Sequence, residues 1–175
     1  MNAGLEIVFN RGIHTEVIEN AVLHARHTVW IATADLKDMH VKAGRRYTPI
    51  LELFESMAAR GVHFRVIHAK LPSGPFRETL ESLPNLLGGA LELQICPRSH
   101  WKMVLVDGEF GYFGSANFTG AGLGVKNADR RNLEVGAVTR DPAAVKTLVD
   151  QFDAFWMGNF CRTCAFRESC PDPIG

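Results

Sequence analysis

Apolar positions along this chain fall into short runs, and the spacing inside the runs switches between two periods. Leu5–Phe9 is an apolar run of strand length. From Ile13 the pattern changes: Ile13, Val17, Ile18, Ala21, Val22 and Ala25 recur at helical spacing and predict an amphipathic helix over 13–27. The stretch TVWIATA (28–34) is β-branched, aromatic and short, as a buried strand is. DLKDMHVKAGRR (35–46) is polar and reads as a loop. A helix is expected over 49–60, with Thr48 as N-cap, Pro49 in the first turn and Gly61 past the end. VHFRVIHA (62–69) alternates as a strand does. A loop, a short helix over 76–83, a turn at NLLGG and a strand over 90–96 follow.

The second half reads mainly as strands. Residues 101–107 and 110–114 form an expected hairpin with its turn at Gly108 and Glu109. A glycine-rich loop (120–124) and the basic loop KNADRRN lead to a strand over 133–139. Asp141 and Pro142 then start a helix that runs to about Trp156. Strand–helix alternation followed by consecutive strands predicts an α/β fold, a mixed sheet with helices on both faces. One domain is expected over 1–158. Residues 159–175 form a cysteine-rich tail too short for a core of its own.

Composition narrows the function classes. The 175 residues fit one domain with a sizeable core, and 46% hydrophobic with 22% charged residues is ordinary for a globular chain. Nineteen basic and 19 acidic residues cancel to a formal net charge of +0, so no global field draws in nucleic acid. The N-terminus lacks the basic, apolar and small-residue succession of a leader. No apolar run approaches the roughly 18 residues of a membrane span. The expectation is a cytoplasmic protein without stable membrane insertion.

One stretch breaks the apolar pattern with chemistry. In SHWKMVLVDGEFGYFGSANFTG (99–120), His100 and Lys102 are two apart and so share a strand face, while Trp101 points the other way. The pair precedes an apolar run, at one end of a core strand, where a pocket can open. The spacing His100-x-Lys102-x4-Asp107-x6-Gly114-Ser115-x-Asn117, with Glu134 downstream, resembles the His-Lys-Asp signature of the phospholipase D superfamily. It is most similar to that superfamily's single-motif bacterial endonucleases. The resemblance implies a phospholipase D-like sheet and a phosphodiesterase that works through a covalent phosphohistidine. It makes His100 the nucleophile, and Lys102 and Asn117 the holders of the phosphate oxygens. Ser115 adds a hydrogen bond, and Glu134 accepts from the second ring nitrogen of His100. Asp107, a fixed member of the motif, is expected to pair with loop donors rather than with phosphate.

The implied reaction needs two imidazoles. A second His-x-Lys exists at His40 and Lys42, but Tyr47 stands where the acid belongs and no Gly-Ser-x-Asn follows. A homodimer that brings two copies of His100 to one phosphate is therefore expected, with no catalytic metal. Lys126, Arg130 and Arg131, and less so Arg45 and Arg46, are candidate contacts to a nucleic-acid backbone, DNA or RNA. Two alternatives stay open: a lipid-directed hydrolase or transferase of the same superfamily, and an inactive nucleic-acid-binding dimer.

The cysteines form the second constellation. Cys161-x2-Cys164-x5-Cys170 supplies three thiolates, and Cys96 is the candidate fourth. Four thiolates suit either zinc or a 4Fe-4S cluster, and the spacing resembles the iron–sulfur clip of some DNA-processing nucleases. Such a site would tie the tail to the catalytic domain.

Overall fold

The computed structural model describes residues 4–37, 39–43, 46–123, 129 and 131–174. Seven strands form one mixed sheet: β1 (Leu5–Phe9), β2 (Thr28–Thr33), β5 (His63–His68), β6 (Leu91–Ile95), β7 (Met103–Val106), β8 (Phe110–Gly114) and β9 (Val135–Thr139). Their order across the sheet is β1-β9-β8-β7-β2-β5-β6. β2, β5 and β6 are mutually parallel, whereas β7, β8, β9 and β1 pair antiparallel. The helices are α1 (Arg11–Ile13), α2 (Ile50–Ala58), α3 (Gly74–Glu81) and α4 (Pro142–Trp156).

Helices lie on both faces of the sheet, as expected. All four residues of β7 are buried. Val104 and Val106 join the larger core with Phe54 of α2, Phe64, Phe76 of α3 and Tyr112. Met103 and Leu105 point the other way, into a second core with Ala32, Ile67 and Phe152 of α4. A strand buried on both faces is by necessity continuously apolar, and this is the run seen in the sequence. Asp141 caps α4 by accepting from the Ala144 N–H at 2.9 Å.

Four local expectations are corrected. The helix expected over 13–27 is α1 continued as a π-helical segment, His14–Glu19, and then a 3-10 turn, Val22–His24. The Asn20 N–H reaches back five residues, to the Thr15 carbonyl at 2.9 Å. The buried positions explain this winding. Ile13, Val17, Ala21 and Ala25 repeat every fourth residue, a longer period than the 3.6 of an α-helix, and the wider turn keeps them on one face. The polar stretch taken for a loop contains a hairpin, β3 (His40–Ala43) with β4 (Arg46–Pro49). The hairpin runs on to Pro49, which pairs with His40, so that Pro49 rather than Thr48 is the N-cap of α2. The β7–β8 turn sits one residue earlier than expected. Asp107 (φ 53°) and Gly108 (φ 67°) are its centre, and the Glu109 N–H donates to the Val106 carbonyl at 2.9 Å.

Candidate active site

β2 and β8 end at the sheet edge where β7 and β9 begin. That edge therefore collects Thr33, the segment Ser99–Lys102, the segment Gly114–Asn117, and Glu134. His100 and Lys102 lie in register with Val104 and Val106, on the face of the larger core. Trp101 turns to the other face and packs at a tilt against Phe155, ring centroids 5.1 Å apart. His100 is exposed and Lys102 half-buried. Lys102 Nζ stands 3.1 Å from both ring nitrogens of His100 and donates to the His100 carbonyl at 2.9 Å. Burial pulls the Lys102 ammonium below the ordinary lysine pKa, partly opposed by the negative charge of Glu134.

Glu134 bonds differently from the expectation. Within the chain its carboxylate accepts from the Ser115 hydroxyl and, at 2.9 Å, from Asn132 Nδ2. The Ser115 N–H donates to the Val135 carbonyl at 2.9 Å, and the Val135 N–H donates to the Ser115 hydroxyl oxygen at 3.1 Å. The His100 ring meets Lys102 instead. Asn10, at φ 49°, holds the Glu134 backbone through its side-chain oxygen at 3.0 Å. Asn117 uses its side-chain oxygen structurally, accepting from the Ala34 and Asp35 N–H groups, both at 3.2 Å. Its amide nitrogen is the half left to meet a ligand. Thr33 completes this junction: its hydroxyl donates to the Asp35 carbonyl at 2.8 Å and accepts from the Phe118 N–H at 2.9 Å. Sequence reasoning missed Asn10, Thr33 and Asn132, because their role depends on strands that meet only in the fold. Asn10 alone left a trace, since asparagine tolerates a positive φ.

Gly114 belongs to the motif for a packing reason. A Cβ there would lie 2.6 Å from the Gly136 Cα and 2.7 Å from the Tyr112 hydroxyl. Tyr112 is fully buried beneath the two glycines, and burial pushes its pKa up to about 12.

Asp107 lies at the far end of β7, on the order of 16 Å from Lys102 along the strand. Its carboxylate accepts three backbone N–H groups, those of Arg26, His27 and Thr28, each at 2.8 Å. Burial favours its protonated form, but those bonds and the His27 charge outweigh this and hold the carboxyl below its usual range. Asp107 thus pairs with loop donors, away from the catalytic set, and fastens the start of β2. Arg131 is half-buried and adjoins Asn132 in the chain. Lys126, Arg130 and Arg45 lie outside the described residues. Arg46 lies on β4, opposite Ala43. His40 and Lys42, the second His-x-Lys, lie on β3. His68, at the end of β5 opposite Thr33, is completely buried.

A family model described as "Cardiolipin synthase, PLD-like domain" matches residues 18–156. The chain belongs to the phospholipase D-like family. Membership places it among phosphodiesterase-type enzymes, and the edge that carries His100 and Lys102 is its candidate centre. None of the curated proteins matches it in sequence. Solved structures share its fold. NucT from Helicobacter pylori aligns with a TM-score of 0.64 at 15% identity, over 97% of this chain and 99% of that one. Nuc from Salmonella typhimurium, a phospholipase D family member, aligns at 0.60 and 14%, over 98% and 99%. TrmBL2, an archaeal chromatin protein described with a novel mode of DNA binding, aligns at 0.57 and 16%, over 87% of this chain and 51% of that one. No helix among the described residues is long and apolar enough to cross a membrane.

Away from this edge, Cys96, Cys161, Cys164 and Cys170 all line one cavity of about 190 Å³, together with Arg98, Trp101 and Phe155 among others. All four cysteines are free and half-buried. Among the described residues no three His, Cys, Asp or Glu side chains are grouped closely enough to hold a single metal ion.

Proposed function

We propose that this protein cleaves nucleic-acid phosphodiester bonds through a phosphohistidine at His100, as a homodimer with one motif per chain. The carrying observation is the exposed His100 ring against the Lys102 ammonium, at an edge where Ser115, Asn117 and Glu134 also end. A neutral ring nitrogen of His100 attacks phosphorus, and the Lys102 cation and the Asn117 amide take up charge on the equatorial oxygens. The phosphorus–oxygen bond to the leaving nucleoside breaks as His100 of the partner subunit protonates that oxygen. Water then attacks the phosphohistidine and gives its proton to the same partner imidazole. This releases from His100 a phosphomonoester, still joined to the other nucleoside, and restores both rings. Glu134, tied to Ser115 inside the chain, is the acid positioned to orient an imidazole from across the two-fold axis. Charge stabilisation by Lys102 takes the part a divalent ion would otherwise have, so no catalytic metal is required.

Two observations support the substrate and the assembly. Lys37 and Lys70, both highly exposed, stand around Asp35 beside the Asn117 junction, at 3.3 and 3.6 Å. Cations flanking the site suit a polyanion, and one structural relative is described as binding DNA. An apolar face is exposed on the same sheet: Leu5, Ile7, Phe9, Phe113, Leu133 and Val135. Uncovered apolar area of this kind marks interaction surfaces. The name of the matching family model favours a second reading, transfer on phospholipid head groups.

The test is wild type against His100→Ala on single- and double-stranded DNA, RNA and phosphatidylglycerol vesicles, with binding measured in parallel. Expected are cleavage of a nucleic acid by wild type only, retained salt-sensitive binding by the variant, and a base-stable phosphoryl adduct on His100. Turnover of lipid alone would establish the second reading. Binding without cleavage by wild type would establish the inactive one.

A further inference from the structure

We propose that Cys96, Cys161, Cys164 and Cys170 hold a four-iron–four-sulfur cluster that clips the C-terminal segment onto the loop carrying His100. This inference stands independently of the reaction proposed above.

The first ground is what the segment lacks. Beyond the end of α4 no residue from Asn159 to Ile174 is buried. The backbone there is nevertheless folded into successive turns: the Cys161 N–H donates to the Gly158 carbonyl, Cys164 to Cys161, and Arg167 to Cys164, at 2.8 to 3.1 Å. Ordering a residue costs about 1–2 kcal/mol in backbone entropy, so a segment of this length without a core needs another source of stability. Its protein contacts are few. Ile95 N–H donates to the Asp172 carboxylate at 3.0 Å, and Phe160 packs 5.9 Å from Phe155. Metal–thiolate bonding is the usual substitute for a missing core in short segments.

The second ground is convergence. Cys96 follows β6, far in sequence from the other three, yet all four side chains line the same cavity. The remaining wall suits a cluster. Trp101, Phe155, Phe160 and Pro173 make it apolar, and Arg98 and Arg167 offset the negative charge that four thiolates bring. Arg98 Nη1 already donates to Cys164 Sγ at 3.2 Å, and hydrogen bonds to cysteine sulfur are a feature of cluster sites.

The cavity that the four cysteines line, about 190 Å³, has room for a cluster as well as for a single ion. A cubane places a separate iron before each cysteine, so its four thiolates stand apart around the cluster. A proline follows Cys170, as it does the last cysteine of many cluster motifs. The consequence for the site is mechanical. The Cys96 N–H donates to the His68 carbonyl at 2.8 Å, and its carbonyl accepts from the Ser99 N–H at 2.9 Å. A cluster bound to Cys96 would thus fix the start of the turn that presents His100.

The full-length chain, purified without oxygen and reconstituted with ferrous iron and sulfide, tests this. Expected are about four irons and four acid-labile sulfides per chain, and a broad visible absorption that dithionite bleaches. Cys161→Ser combined with Cys164→Ser should lose both the iron and the absorption, while far-ultraviolet dichroism keeps the signal of the sheet. The wild-type stoichiometry decides the matter even if the variant misfolds. About one zinc per chain without a chromophore, no bound metal after reconstitution, or undiminished iron in the double variant would each overturn the assignment.

Discussion

Asp107 and Lys102 belong to one motif and do opposite work. Lys102 must be a cation to hold a phosphate, and its burial makes the neutral form easier to reach. The rate should therefore fall on the alkaline side before an ordinary lysine, near pH 10.4, would titrate. Profiles of kcat/KM against pH for wild type and Lys102→Arg check this, because a guanidinium does not titrate there and should remove that limb from whatever activity remains. Asp107 carries three backbone hydrogen bonds and no contact with the site. Asp107→Ala is expected to cost about 1–3 kcal/mol in urea unfolding and to leave kcat unchanged at a temperature where the protein is folded. The sign with pH follows from its depressed pKa. The stability it contributes is complete above the unfolded value, about 3.9, and is lost as pH falls through the lower folded value.

At the scale of elements, the β8–β9 pair is built around the closeness of Gly114, Gly136 and Tyr112. A methyl on Gly114 would meet backbone atoms, the Gly136 Cα and the Val135 carbonyl oxygen, which have no room to yield. Gly114→Ala should lower stability by about 1–3 kcal/mol, read as a fall in melting temperature. It should also reduce turnover, since Ser115 and Asn117 follow directly. The helical segment after β1 makes a related point. Its apolar face was legible in Ile13, Val17, Ile18, Ala21, Val22 and Ala25, all of them buried. The winding was harder to read, because a four-residue repeat of apolar positions is compatible with an ordinary α-helix as well as with the wider turn seen here. The β3–β4 hairpin left little signal, since HVKA and RYTP carry few apolar residues to alternate.

At the scale of the whole molecule, α4 covers only part of its side of the sheet. Ala32, Ile67 and Met103 are buried beneath it. Further along the same face, Phe113 and Ile7 flank Ala137 and remain open, Ile7 at 53% and Phe9 at 59% exposure. If this face joins two copies, Ile7→Lys combined with Phe9→Lys will convert the dimer to a monomer in analytical ultracentrifugation. Cleavage should be lost with it, because one chain brings one motif. A dimeric double variant with full activity would place the interface elsewhere. Cleavage by wild type should also persist in EDTA while dichroism shows the fold intact, since the proposed chemistry runs on imidazole and ammonium groups.

The sequence by itself determined the seven strands of the main sheet, both apolar faces of β7, the cap on α4 and the spacing of the motif. Each of these is written in the periodicity or residue type of a few neighbouring positions. Only the tertiary structure decided that Asp107 sits at the opposite sheet edge from His100, that Glu134 meets Ser115, that Thr33 and Asn10 brace the site, and that Cys96 faces the tail. Those contacts join residues tens of positions apart. Strand order and register set them, and these follow from which faces can be buried together rather than from any local pattern.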